Sequence, residues 1–186
     1  KFKEISSFSF VPTGLLGLLP IHAAWTEDET KSTGRRYAID DVNIVYIPNA
    51  RSVIAANSCI NIKPKNILAV DNPDGSLSFS SPEIASALLH FPLSEQLLLG
   101  GLAATREMVL DTMSNANVLH FSTHGIGKVG NAIEGGLFMA NNQLLTLEDI
   151  VKKRLQNTRL AILSACETSK IDIRLPDEVI SLPTGL

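Results

Sequence analysis

The sequence predicts an α/β domain built on a mostly parallel sheet with helices on both faces. Short apolar runs alternate along the chain with segments of helical composition, which is the order that produces such a sheet. The strongest runs are continuously apolar, as is typical of parallel strands buried on both faces. No internal repeat or low-complexity tract interrupts this order. Residues 1–186 are therefore predicted to form a single domain.

The first elements predicted are a hairpin, a loop, a strand and a helix. The apolar runs Phe8–Val11 and Leu15–Pro20 flank a PTG turn, which predicts an N-terminal hairpin near the sheet edge. Thr26–Arg36 is polar and charged and is predicted to be a surface loop. Val42–Ile47 is rich in β-branched residues and predicts a strand, while Ala50–Ser58 has helical composition.

The middle of the chain predicts one strand and two helices. Asn66–Val70 is a compact apolar strand closed by DNPDG, a strong turn signal. A helix over Pro82–His90 is indicated by Ser81 as N-cap, proline at the first position and the acid Glu83 in the first turn. Ala103–Met113 predicts the next helix.

Beyond that helix, Val118–Thr123 reads as a buried strand. Gly125–Gly136 is rich in glycine and polar residues, and a loop of this length usually has a function. Gly136–Ala140 and Gln143–Leu145 are predicted to pair as a hairpin. A helix then runs from Thr146 to about residue 155, with acids in its first turn.

The last elements are a second buried strand, Leu160–Ser164, and an amphipathic helix that begins at Asp177. The first ten residues read as a strand entered within a protein, and SLPTGL stops inside an apolar pattern. We expect both termini to be cuts from a longer polypeptide.

The composition gives no support for a nucleic-acid-binding protein, a membrane-spanning protein or a disulfide scaffold. A formal charge of −3 gives no reason to expect nucleic acid or an anionic membrane as partner. No segment approaches the roughly 18 apolar residues needed to span a bilayer. The chain has two cysteines, Cys59 and Cys166, which favours a reducing, cytoplasmic setting over a disulfide scaffold.

Two segments bring reactive side chains to the ends of buried strands. VLHFSTHG contains the strand predicted over Val118–Thr123, and His124 follows that strand directly. LAILSACET begins with the second buried strand, and Cys166 lies just beyond its end. Ligands bind beyond the carboxyl ends of the strands in such sheets, so both residues are placed at the edge where a site forms. The sequence therefore predicts a thiol–imidazole pair there.

This pair has the chemistry of a cysteine nucleophile. A free thiol has a pKa of about 8.5, so a neighbouring imidazole is needed to favour the thiolate or to take its proton. The backbone N–H groups of Gly125 and Cys166 are candidate donors to the oxyanion that forms during attack. Gly125 also lets a substrate approach the main chain without a Cβ in the way. No cofactor is predicted, since two ligands are too few for a zinc site.

HFSTHG followed by LSACET resembles the CHAT domain, a caspase-like module usually found beside tetratricopeptide repeats. FVPTGLLGLLPIHA, GGLFMANNQLLTLEDI and DEVISLPTGL resemble further segments of that family, so the resemblance covers nearly the whole chain. The order histidine then cysteine also fits caspases, whose histidine lies about 50 residues upstream. Glu167 and Thr168 depart from the caspase sequence.

The resemblance implies a caspase/separase-type fold and a cysteine endopeptidase with Cys166 as nucleophile and His124 as its base. It also implies a protein or peptide substrate cleaved after a specific residue, often basic in separases and gingipains. A tetratricopeptide region of the same or a partner chain is the implied sensor, so activity is expected to be latent. The family domain continues past Leu186 with at least one more strand, so part of the substrate pocket is expected there.

The remaining polar residues carry weaker interpretations. Glu167 and Asp71 are candidate substrate-binding acids. The alternative for Glu167 is to orient a neighbouring main-chain group, and that for Asp71 is a turn cap within DNPDG. His120 lies deeper on the face of His124 and is interpreted as a satisfied core histidine, while Cys59 is interpreted as structural. Two other functions stay open: a non-catalytic interaction module with the same fold and, disfavoured by the lack of a phosphate-binding turn, a nucleotide-binding domain.

Overall fold

The computed structural model describes residues 5–13, 16, 19–128 and 131–165. In chain order its strands are β1 Ser7–Phe10, β2 Trp25–Glu27, β3 Arg35–Tyr37, β4 Asn43–Tyr46, β5 Ile67–Asp71, β6 Gln96–Gly100, β7 Val118–Ser122, β8 Gly125–Ile126, β9 Gly136–Phe138, β10 Leu144–Thr146 and β11 Leu160–Ser164. Its α-helices are α1 Ala38–Asp41, α2 Ala50–Cys59, α3 Ser80–Leu88, α4 Arg106–Thr112 and α5 Leu147–Lys152. The helix predicted from Asp177 lies outside the described residues, as do Cys166 and Glu167.

A four-stranded parallel sheet forms the centre of the domain, in the order β11-β7-β5-β6. Strands β5 and β7 are central, and their apolar side chains are almost entirely buried. The sequences of these strands are continuously apolar because helices cover both faces of the sheet, so side chains on either face are buried. This confirms the predicted α/β class and the mostly parallel sheet.

Helices cover the two faces of this sheet. Helix α3 contacts β5 and β7 on the face that carries Ala69 and His120. Helices α4 and α5 lie on the opposite face, where Phe121 is fully buried. That face holds the main hydrophobic core, which includes Leu68, Val70, Leu99, Val109, Met113, Leu119, Phe121, Leu137, Met139, Leu145, Leu147 and Ile150.

A partly buried ion pair joins the starts of α4 and α5. The Arg106 guanidinium donates to both carboxylate oxygens of Asp149, with Nε–Oδ2 at 3.0 Å and Nη2–Oδ1 at 2.6 Å. Asp149 also closes a capping box with Thr146, whose hydroxyl accepts from the Asp149 N–H. Partial burial raises the pKa of Asp149, but hydrogen bonds from Arg106 and Thr146 outweigh this and hold it below its ordinary value.

The predicted N-terminal hairpin is wrong in its pairing. Strand β1 forms, but its partner is β4, in parallel, with Phe8 opposite Ile44. The edge-to-face contact between Phe10 and Tyr46, with ring centroids 5.8 Å apart, supports this register. The backbone turns at Leu16, whose carbonyl accepts from the Leu19 N–H, so the described part of the second run is not a strand.

The loop predicted over Thr26–Arg36 is instead part of a hairpin of β2 and β3. The Arg35 guanidinium lies over the Trp25 ring, 4.1 Å from its centroid, which stabilises the pair on the surface. The segment is polar because most of both strands is exposed to water, so its composition concealed the strands.

Three other elements differ from the prediction. Strand β6 was not predicted, and it forms one edge of the central sheet beside β5. Helix α3 begins at Ser80, two residues before the predicted start, so Pro82 lies within its first turn. Backbone N–H groups in the first turn form no hydrogen bond within the helix, so the proline, which lacks an N–H, costs nothing there. The predicted long loop begins with strand β8, which pairs with β9.

In the described part of the chain, no helix is long and apolar enough to cross a membrane.

Candidate active site

The strands that lead to the two predicted catalytic residues are neighbours in the sheet. Strands β7 and β11 run parallel, and their last residues, Ser122 and Ser164, are paired in register. His124 follows Ser122 by two positions, and Cys166 follows Ser164 by two positions. His124 therefore lies just beyond the carboxyl end of β7, as predicted, whereas Cys166 lies outside the described residues.

The backbone around His124 is held on two sides. The Thr123 N–H donates to the carbonyl of Ser164 at 3.3 Å, and the Thr123 hydroxyl donates to the carbonyl of Phe138 at 2.6 Å. The carbonyl of His124 accepts from the Phe138 N–H at 2.8 Å. His124 thus marks the junction between the central sheet and the antiparallel strands β8, β9 and β10.

The hydrogen-bond pattern at this junction leaves the Gly125 amide outside the β8–β9 ladder. Gly125 lies opposite Leu137, and the adjacent bond runs from Phe138 N–H to the His124 carbonyl. In an antiparallel pair, this arrangement makes Gly125 a non-hydrogen-bonded position. Its N–H therefore does not bond to β9, and the residue is half-buried next to His124.

The imidazole of His124 contacts the turn that follows β5. Its Nε2 lies 2.7 Å from Ser76 Oγ and 3.9 Å from Asp74 Oδ2. Asp74 Oδ1 accepts from both the N–H and the hydroxyl of Ser76, at 3.1 and 2.9 Å. The side chains of His124 and Asp74 are 43% and 47% exposed, so a substrate can reach the ring.

The carboxylate of Glu83 binds the last residues of both strands, β7 and β11. Glu83 of α3 accepts hydrogen bonds from Ser164 and Ser122, and from Nε2 of His120 at 2.9 Å. His120 is buried and bound to Glu83 through this nitrogen, as expected of a core histidine, but its buried Nδ1 has no hydrogen-bond partner among the described residues, so the ring is only half satisfied. Partial burial raises the pKa of Glu83, but the hydrogen bonds from Ser164, His120 and Ser122 outweigh it and hold the pKa below its ordinary value.

Asp71 lies at the end of β5, opposite Ser122 in the register. Its Oδ1 accepts from the hydroxyl of Ser80 and its Oδ2 from that of Ser81 at 2.9 Å. The carboxylate therefore ties β5 to the start of α3. A role for Asp71 in substrate binding stays a prediction, as does that of Glu167.

Asp74, Ser76 and Glu83 contact this site, although the sequence pattern predicts none of them as site residues. Asp74 belongs to the predicted DNPDG turn, and no role is predicted for Ser76, because Ser76 and His124 are 48 residues apart and no pattern links them. Glu83 was read as a first-turn acid of a helix. Within the described ranges, no three His, Cys, Asp or Glu side chains are grouped so that they can hold a metal ion.

A parallel sheet covered by helices on both faces, with a histidine at its carboxyl edge, is consistent with a caspase-like α/β fold. The sequence model of the CHAT domain matches residues 3–186, so the chain belongs to the CHAT domain family. Membership implies a caspase-like peptidase family. A search of curated proteins gave no match to this chain.

The position of Glu83 predicts a pH-dependent contribution to stability. Its pKa in the folded protein lies below the ordinary value of 4.5, so its contribution is complete above that value and is lost as the pH falls through the folded pKa. We expect Glu83→Gln to lower the free energy of unfolding by about 1 kcal/mol at neutral pH, a modest figure because the side chain is 38% exposed.

This difference between parent and variant is expected to shrink as the pH is lowered below 4.5. Urea unfolding at neutral pH and at about pH 3.5 measures it. The control is Glu107→Gln, at an exposed position on α4. An equal loss of stability from Glu83→Gln at both pH values would contradict the proposed origin of the effect.

Proposed function

We propose that this domain is a cysteine endopeptidase in which Cys166 attacks the scissile carbonyl and His124 takes the thiol proton. The observation that carries the proposal is the in-register pairing of Ser122 with Ser164, because His124 and Cys166 each follow by two residues. Equal offsets from paired positions of parallel strands favour a short distance between the two side chains. Membership of the CHAT domain family supports the same assignment.

The main chain supplies the second requirement of acyl transfer. A tetrahedral intermediate needs donors for its oxyanion, and we assign this role to the N–H groups of Gly125 and Cys166. The support for Gly125 is its position outside the β8–β9 hydrogen-bond ladder, beside His124. His124 then returns its proton to the leaving amine, and water completes the hydrolysis of the thioester.

The setting of this activity is also part of the proposal. Substrates are proteins or peptides, and Asp71 and Glu167 remain the proposed substrate-binding acids. A chain with two cysteines suits a reducing compartment, so we place the activity in the cytoplasm. We expect latency, with release by a tetratricopeptide-repeat region of the same or a partner chain.

Covalent labelling tests the proposal directly. The probe is a peptide library that carries a thiol-reactive acyloxymethyl ketone at its C-terminus, and labelled cysteines are identified by mass spectrometry. We expect Cys166 to be labelled at least about tenfold faster than the half-buried Cys59, because an imidazole-activated thiol is the stronger nucleophile. Cys166→Ala should lose this fast labelling.

The matched control is Cys59→Ala, which should leave the labelling of Cys166 unchanged. The labelling is done on the full-length protein together with the tetratricopeptide-repeat region proposed to release it, so that latency does not hide the thiol. Equal rates at the two cysteines there, or no labelling of Cys166, would sink the peptidase assignment and favour the non-catalytic interaction module.

A further inference from the structure

The turn between β5 and α3 is built around the candidate catalytic histidine. The amide side chain of Asn72 binds both backbone groups of Leu77, with Oδ1 accepting at 3.0 Å and Nδ2 donating at 3.1 Å. The Asn72 N–H donates to the carbonyl of Ser122 at 2.9 Å, which fixes the turn to the end of β7. Gly75 has φ +78°, a conformation that favours glycine, and it lets the chain reverse between Asp74 and Ser76.

The contacts within this turn determine where the ring proton of neutral His124 lies. A hydroxyl has one proton, and that of Ser76 is directed to Asp74 Oδ1 at 2.9 Å. The short contact between Ser76 Oγ and His124 Nε2, at 2.7 Å, must then use a proton on Nε2. The Nδ1 atom is left without a proton and is the basic atom of the ring.

Asp74 is ionised in this arrangement. Partial burial raises the pKa of its carboxyl group, but the hydrogen bonds from the N–H and hydroxyl of Ser76 hold it below the ordinary value. An ionised carboxylate accepts and does not donate, so the Ser76 hydroxyl is the donor between them.

We propose that Asp74 and Ser76 form a hydrogen-bonded relay that holds His124 as the Nε2–H tautomer and presents Nδ1 to the thiol of Cys166. The last part rests on the proposed function, whereas the tautomer does not. When the thiol proton moves from Sγ to Nδ1, the ring becomes an imidazolium. Its Nε2–H then faces the Asp74 carboxylate through Ser76, which stabilises the new positive charge. Asp74 and Ser76 are thus positioning residues.

Nitrogen-15 NMR of the labelled protein tests the tautomer at about pH 8, where an ordinary histidine is mostly neutral. We expect the ring of His124 to be protonated on Nε2 in the parent and in Ser76→Thr, which keeps the hydroxyl. Ser76→Ala should give a mixture of both tautomers. Ser76 is exposed, so these variants change no core contact. A parent ring protonated on Nδ1, or no change in Ser76→Ala, would overturn the relay.

The rate of alkylation of Cys166 by iodoacetamide tests whether the relay activates the thiol through His124. We expect Ser76→Ala and Asp74→Asn to slow it by about tenfold, the loss expected for one hydrogen bond to a charged group. Ser76→Thr should restore the rate, and Ser78→Ala, at an exposed serine two positions along, should leave it unchanged. Normal alkylation in Ser76→Ala overturns the relay's action on Cys166.

The proposed function is separated from the relay by one further variant. If His124→Ala alkylates as fast as the parent while the NMR result holds, the thiol–imidazole pair is wrong and the relay to His124 is right. If His124→Ala is slow and Ser76→Ala is not, the pair is right and the relay is wrong.

Discussion

Replacing His124 by alanine is expected to lower kcat for peptide hydrolysis by about 1000-fold, within the range lost when a general acid–base group is removed. Without the ring, only a few per cent of a thiol with an ordinary pKa is thiolate at neutral pH, and the leaving amine has no proton donor. KM should change little, since the proposal gives His124 a role in proton transfer and not in substrate binding.

The measurement is kcat and KM of the full-length protein, released by its proposed tetratricopeptide-repeat region, with fluorogenic peptides that vary at the residue before the scissile bond. His90→Ala is the matched control, because His90 is exposed and follows the C-terminal end of α3, the end opposite Ser80 and its contact with Asp71. The assignment of His124 fails if kcat of His124→Ala stays within a factor of two of the parent value.

Replacing Gly136 by alanine is expected to lower the free energy of unfolding by about 3 kcal/mol, at the upper end of the usual range for overpacking. A Cβ at this position lies 2.4 Å from the carbonyl oxygen of Leu145 and 2.9 Å from Cγ of Leu144. The Leu145 carbonyl is main chain, and β10 leads directly into the capped start of α5 at Thr146. The clash therefore cannot be relieved by rotating a side chain.

Urea unfolding measures this loss, with Gly100→Ala as the control. A Cβ on Gly100 meets its nearest atom, the Asp71 carbonyl oxygen, at 3.8 Å, an ordinary contact. We also expect Gly136→Ala to slow hydrolysis, because the displaced strand β9 holds the carbonyl of His124 through Phe138. Equal stabilities of the two glycine variants would refute the steric argument.

The central strands could be predicted because the sequence signal and the fold agree there. Strands β5 and β7 are apolar runs bounded by turn residues, and burial on two faces requires such runs. Strand β11 was predicted from the same kind of run, and it forms at the predicted place, but it is half-buried and not buried as expected. The placement of His124 beyond β7 followed from the same reasoning. The hairpin of β9 and β10 was also predicted from its pattern, and its turn uses Asn141 and Asn142 at positive φ.

Other features depend on partners that are distant in sequence. Strand β1 was paired with its neighbour in the chain, which is the usual preference, yet it pairs with β4. Strand β6 is a short run with exposed Leu97 and Leu98, and it has no alternation or turn chemistry to distinguish it. The contact of Ser76 with His124 and that of Glu83 with Ser122 are single polar contacts across the fold, and periodicity carries no information about them.

The attachment of Glu83 to both Ser122 and Ser164 has a consequence for folding fidelity. Parallel strands far apart in sequence must choose an alignment late, after the intervening chain has folded. A slip of one residue turns every side chain of β11 to the other face of the sheet. It also breaks the hydrogen bond from the Ser164 hydroxyl to the Glu83 carboxylate, which leaves that carboxylate without one of its donors. Glu83 therefore penalises misaligned intermediates, so the domain selects during folding the one alignment that its proposed chemistry requires.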